Sequence, residues 1–218
     1  MTQHKSTFGL IAVMAGLLVV VGCAAGSKKN LALNEAARHG DRAAMEQALA
    51  TGADVNTVGE SNNTPLIEAA MFNNVQAAQF LIEHGADMNK GDEDHDAPLH
   101  FAAQKGSKEV AQLLIQHGAT VEAVDDDQET PLYLAAEAGD PEIVTMLLHA
   151  GGDPNRRNKN GESPLAVARK KGNQQIVQII EAYRGAAGAA RPMTPAMPPA
   201  PPAPPPPTTP PPPPPPSR

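Results

Sequence analysis

Thr64-Pro65-Leu66, Ala97-Pro98-Leu99, Thr130-Pro131-Leu132 and Ser163-Pro164-Leu165 are four statements of one phrase, each 33 residues from the last. Two further series keep that interval. One is Gly52, Gly85, Gly118 and Gly151; the other is Gly40, Asn73, Gly106, Gly139 and Gly172. Three series sharing one period within 218 residues mark a stacked repeat architecture.

Each marker has a local reason. Thr or Ser before Pro offers a side-chain oxygen to the orphan amides of a helix start. Pro in the first helical position loses no hydrogen bond and already has a helical φ. The spacing predicts a short helix over Pro98–Lys105, with alanines where a neighbour approaches, stopped at Gly106 by a left-handed residue. Asn73, the residue type next most tolerant of that conformation, fills this place one repeat earlier. A second, antiparallel helix is predicted over Glu109–Gln116, with Val110, Leu113 and Leu114 forming its apolar stripe. Gly118 closes that helix, and Ala119–Val124 reads as an extended run to the next turn.

The whole phrase, Thr-Pro-Leu-x-x-Ala-Ala, then Gly, Leu-Leu and Gly-Ala-Asp-x-Asn, resembles the ankyrin repeat. Asn56, Asn89 and Asn155 fill its last position and Glu122 departs from it; only His100 keeps the family's histidine, where Ile67, Tyr133 and Ala166 stand elsewhere. The resemblance implies an all-α solenoid of about five 33-residue helix-turn-helix units with β-turn fingers, over residues 31–184. The first unit lacks Thr-Pro-Leu and the last has Arg169 where Ala would pack, as suits capping repeats whose outer faces meet water.

Composition agrees. Aromatic residues make up 3% and Trp is absent, so the core must come from Leu, Ile, Val and Ala. All 24 acidic residues fall between Glu35 and Glu181, against 12 basic residues within 31–184. So acidic a block is a poor match for phosphate backbones, and nucleic acid is not an expected partner. A single cysteine, Cys23, excludes an intramolecular disulfide.

The ends of the chain differ from its middle. Residues 1–22 read as a signal peptide: His4 and Lys5, then an uncharged apolar run from Phe8 to Val21, shorter than the roughly 20 residues of a membrane span. The run ends Val20-Val21-Gly22-Cys23, which resembles a bacterial lipobox and implies cleavage before a lipid-bearing Cys23. Ala24, rather than Asp, implies the outer membrane of a Gram-negative cell, facing the periplasm. Residues 23–30 are expected to be a lipidated tether. Residues 185–218 are expected to be a disordered proline-rich tail, opening on a small-residue break at Gly185–Ala190. Seven consecutive prolines from Pro210 favour an extended polyproline rod, so that roughly 25 residues at about 3.1 Å each reach on the order of 75 Å.

No catalytic constellation, glycine-rich phosphate loop or free thiol is legible, so neither enzyme activity, a cofactor nor a small-molecule substrate is expected. His84 and His117 precede Gly85 and Gly118 and read as helix C-terminal residues facing the dipole. Asp92–Asp96 and Asp125–Glu129 occupy equivalent turns. Such oxygen-rich clusters can hold calcium, but their spacing matches no ordered calcium loop, so no metal is expected. A basic partner and a plainly solvated face are the readings that remain.

The resemblance places partner binding on the concave face, made by the turn tips and the two residues after Ala-Ala. Candidates there are Met71 and Phe72, Gln104 and Lys105, Glu137, Lys170 and Lys171, with Asp94, Asp96, Asp126, Asp127 and Glu129 at the tips. Met71–Phe72 reads as an exposed apolar pair beside two acidic turns that cannot neutralise each other. Two functions follow. One is a lipid-anchored module binding another protein, with immunity against a toxin among the roles such lipoproteins have. The other is a structural or protective envelope protein, as in periplasmic oxidative-stress defence, with the proline rod as spacer.

Overall fold

The computed structural model describes residues 28–59 and 62–189. Cys23, the apolar run before it and the proline-rich run from Pro192 lie outside them. Among the described residues, ten helices run in five antiparallel pairs: α1 (28–39) with α2 (Arg42–Ala50), α3 (Pro65–Met71) with α4 (Val75–Glu83), α5 (Pro98–Lys105) with α6 (Lys108–Gln116), α7 (Pro131–Ala138) with α8 (Pro141–His149), and α9 (Pro164–Lys171) with α10 (Gln174–Ala189). The pairs stack in chain order, α3 on α5, α5 on α7 and α7 on α9, with the second helices forming an outer layer. No strand occurs among the described residues.

The cap chemistry explains why the helices start and stop there. Thr64, Thr130 and Ser163 each accept from the amide three residues on, at 3.2 to 3.3 Å. Ala97 has no oxygen to offer; His100 Nδ1 instead accepts from the Ala97 amide at 3.0 Å. Asn73 and Gly106 both take positive φ, +53° and +75°, as does Gly118 at +90°. Between the layers lie Leu66, Leu99, Leu132 and Leu165 from the inner helices, with Leu81, Leu114 and Leu147 from the outer ones, all buried. Each such side chain contributes about 1.5–3 kcal/mol. The alanines that follow them let neighbouring inner helices close up.

Three boundaries differ from the sequence reading. Helix α1 includes Lys28–Asn30, assigned above to the tether; the Asn30 carbonyl accepts from Asn34 Nδ2 at 3.1 Å. Helix α10 runs to Ala189, through the expected break and into the expected tail, because Gly185 and Gly188 only weaken a helix that alanines favour. The run Ala119–Val124 is not extended either: it turns at Val121–Glu122, with the Ala123 amide on the Thr120 carbonyl at 3.2 Å.

Two glycines test these assignments by sign. A Cβ at Gly118 would meet nothing within 4 Å, so Gly118→Ala isolates left-handed strain and should lower stability by about 1–2 kcal/mol. Gly185 is equally uncrowded but helical, so Gly185→Ala should raise stability by up to about 1 kcal/mol. Thermal melts of the two variants check both.

Candidate functional site

Each finger between helix pairs is a chain reversal stitched by its own first residue. In the second, third and fourth fingers the Asp92, Asp125 and Asn158 amides meet the carbonyls of Asp96, Glu129 and Glu162. Asp92 Oδ1 accepts from the amides of Asp94 and Asp96 at 3.1 and 2.9 Å, and Asp125 Oδ1 from those of Asp127 and Glu129, both at 2.8 Å. Asn158 Oδ1 repeats this with Asn160 and Glu162, both at 3.0 Å. The last turn residue is left-handed each time: Asn62 +58°, His95 +64°, Gln128 +61° and Gly161 +74°. Asp92 and Asp125 thus hold the tips in shape, a role the sequence reading missed. Its signal was the 33-residue series Asp92, Asp125 and Asn158.

Neighbouring fingers are tied side by side. The Asp126 amide donates to the Asp94 carbonyl, and Lys159 to Asp127, both at 2.9 Å. At the finger bases the Asn56, Asn89 and Glu122 side chains accept from the Asp87, Thr120 and Asp153 amides at 2.7, 2.9 and 2.8 Å. Glu122 therefore does in its repeat what Asn does in the others. His84 and His117 stand at helix ends, as read from the sequence, and their Nδ1 atoms meet the carbonyls of Phe80 and Leu113 at 2.7 and 2.9 Å.

The candidate partner residues are not equally free. Asp94, Asp126 and Asp127 are exposed at the tips, and Gln104 and Lys105 at the end of α5. A side-chain contact links the two acidic turns: His95 Nδ1 lies 2.8 Å from Asp126 Oδ1. Asp96 and Glu129 are half-buried beneath the tips. Burial raises the Glu129 carboxyl, against the opposing effect of the Asn158 amide, which donates to it at 2.9 Å. Lys171 pairs with Glu137 at 3.1 Å and Lys170 with Glu162 at 2.9 Å, so these charges are partly answered within the chain. Such exposed pairs contribute little to stability.

Met71 and Phe72 are not a freely exposed pair. Met71 is half-buried, its Sδ accepting from Asn63 Nδ2 at 3.4 Å, while Phe72 is 52% exposed. The Arg38 guanidinium lies 5.6 Å from the Phe72 ring centroid and donates two bonds, at 3.0 and 3.2 Å, to the carboxylate of Glu68. Glu68 is 2% exposed and also accepts from Asn63 Nδ2 at 3.1 Å. Its counterparts one, two and three repeats on are Phe101, Leu134 and Val167, so this buried charge is local to the second unit. Arg38 thus joins the first pair of helices to the second, and lies against the apolar side chain proposed for binding.

His100 and Tyr133 occupy the same place in successive repeats. His100 is fully buried; its Nε2–H donates to the Ala123 carbonyl at 3.1 Å, and burial holds the ring below the usual histidine range. Tyr133 donates to Glu162 Oε2 at 3.0 Å; burial and then this bond push its hydroxyl up, while Lys170 and Tyr133 hold Glu162 down. Both therefore link an inner helix to the finger that follows it.

An open concavity of about 220 Å³ lies between the Gln104–Lys108 and Ala138–Pro141 turns. It is crossed by Lys108, 2.7 Å from Glu142 and 3.8 Å from Asp140. Among the described residues, no three His, Cys, Asp or Glu side chains form a group that could hold a metal, and no helix is long and apolar enough to cross a membrane.

A family model described as ankyrin repeats, three copies, matches residues 10–92, 33–125, 89–158 and 123–188. The search of curated proteins found no match.

Two measurements check this geometry. Arg38→Ala strips a buried carboxylate of its charged partner while Asn63 still donates, and should cost about 2–3 kcal/mol, against a few tenths for Lys171→Ala. For His100, the folded state resists a proton that the unfolded chain accepts near pH 6.5, so its contribution is present above that pH and lost below it. The melting temperature of wild type minus that of His100→Gln should fall between pH 7 and pH 5.

Proposed function

The chain belongs to the ankyrin-repeat family, whose repeats are protein–protein interaction modules and typically non-enzymatic scaffolds, and on that premise we propose that it binds another protein on the face made by fingers and inner helices while a lipid anchors it in a bacterial envelope. The observation that carries the binding half is the charge pattern of this face. Acidic side chains crowd the second and third tips, Asp94, Asp126 and Asp127, and a half-exposed Phe72 stands at the N-terminal end. Large side chains within polar surroundings make the strongest binding positions. Exposed like charges speed the approach of an opposite partner, and rising salt screens that advantage away. Gln104, Lys105, Glu137, Lys170 and Lys171 border the same surface.

The anchoring half rests on Val20-Val21-Gly22-Cys23 closing an uncharged apolar run. A lipid on Cys23 would place the stack, whose first described helix starts at Lys28, close to the membrane surface, and Ala24 favours the outer membrane. Toxin immunity is one role open to such a module. A protective role in the envelope, with the proline-rich run as spacer, is the second reading; its support is the composition after Pro192.

Two experiments test these halves separately. Cys23→Ala should abolish incorporation of labelled fatty acid and release the protein from membranes; unchanged pelleting with membranes overturns the anchor. For a partner captured by crosslinking in the envelope, Phe72→Ala should weaken affinity by about 2 kcal/mol, chiefly through faster dissociation, with the melting temperature unchanged. Asp94, Asp126 and Asp127 together changed to Lys should slow association instead. Indifference to both sets would place binding elsewhere on the protein.

A further inference from the structure

Corresponding positions in successive fingers are not equivalent in charge. Where the third finger meets the fourth, the carboxylate of Glu129 faces Asn158, whose Nδ2 donates to it at 2.9 Å. The same two places one repeat earlier hold Asp96 and Asp125. No amide can answer the carboxylate there. Asp125 Oδ1 is occupied by two backbone amides of its own turn, and among the described residues no group donates to the Asp96 side chain.

We propose that the joint between the second and third fingers is a pH-responsive hinge, closed while Asp96 carries a proton and loosened when Asp96 ionises opposite Asp125. The surroundings are one-sided. Asp92 and Asp94 face Asp96 from its own finger, and Asp125 and Glu129 from the next. His100 on α5, close to both Asp125 and the Glu129 backbone, is buried, and burial holds its ring below the usual histidine range. His95 is exposed and lies against Asp126 rather than Asp96. Burial first, and then the four carboxylates, hold the half-buried Asp96 up to about 7. A carboxyl raised in the fold favours the closed joint when protonated. Closure is therefore firmest in the ordinary carboxylate range, weakens as pH rises toward 7 and levels off above it. The bonds that would loosen are the ones across the tips, Asp126 amide to Asp94 carbonyl at 2.9 Å and His95 to Asp126 at 2.8 Å.

The next joint supplies an internal comparison: burial raises its Glu129 as well, but the Asn158 amide opposes that rise, so its response should be the smaller one. The Lys159 amide bonds to the Asp127 carbonyl at the same 2.9 Å, but beside Glu129 and Asn158 instead of two aspartates. Amide hydrogen exchange of the full chain, corrected for intrinsic rates, should be followed at Asp126 and Lys159 from pH 5 to pH 8. The ratio of Asp126 to Lys159 exchange should rise by up to about tenfold per pH unit to pH 7, then level off. Asp125→Asn, which copies the neighbouring joint, should flatten the rise, and so should Asp96→Asn. A flat ratio in wild type overturns the hinge, as does a rise that persists in either variant. If one variant does not fold, the other gives the result, and a carbon-13 titration of the Asp96 carboxyl stands beside both. A midpoint near 4 in that titration also overturns the proposal.

Discussion

No pair of eight- or nine-residue helices can bury its own apolar face, and that shortfall governs the whole molecule. The leucines of each inner helix are covered only because the next unit supplies a surface, so stability is a property of the joints. The polar groups obey the same constraint. The finger backbones have no sheet in which to pair, yet their amides lie close to neighbouring chain and must be answered. The answers come from one unit along: Asn56 to Asp87, Asn89 to Thr120, Glu122 to Asp153, and Asn74 Nδ2 back to the Ala37 carbonyl. Burial and hydrogen bonding thus point in one direction, along the stack.

How much of this was legible in the sequence depended on where each residue's partner lies. The Thr-Pro-Leu starts, the left-handed Asn73 and the glycine closures depend on neighbours within four residues, and the structure places each as its chemistry requires. The Arg38–Glu68 link could not be read that way, because its partners are 30 residues apart and one of them breaks the apolar pattern of its position. Phe72 looked free for the same reason. The acidic turns were misjudged differently. Asp92 and Asp125 were read as charge, whereas their first task is to gather turn amides, as the neutral Asn158 also does. The series changes from Asp to Asn only at its last step, and its two acidic members drew attention to their charge instead of their acceptor oxygens.

The ends of the stack show the other limit. Glycine served as a stop signal inside the repeats because each closure needs a left-handed residue there. After Arg184 no further unit packs on the stack among the described residues, and the same residue type is carried within α10. Punctuation by glycine is thus a property of context. Proline needs no such context, since it lacks the amide whatever its surroundings.

The ladder at the finger bases has a consequence for how such a chain can change in length. Each side-chain acceptor reaches an amide 31 residues ahead, and each tip residue reaches the next tip. One residue inserted in the second finger would lengthen the pair that spans it, Asn89 with Thr120, while Glu122 and Asp153 beyond it keep their spacing. A whole unit duplicated in tandem would leave all of them in phase and lengthen the row of fingers by one. Growth by whole units therefore leaves every rung of this ladder intact, whereas growth by one residue strains the rung that spans it.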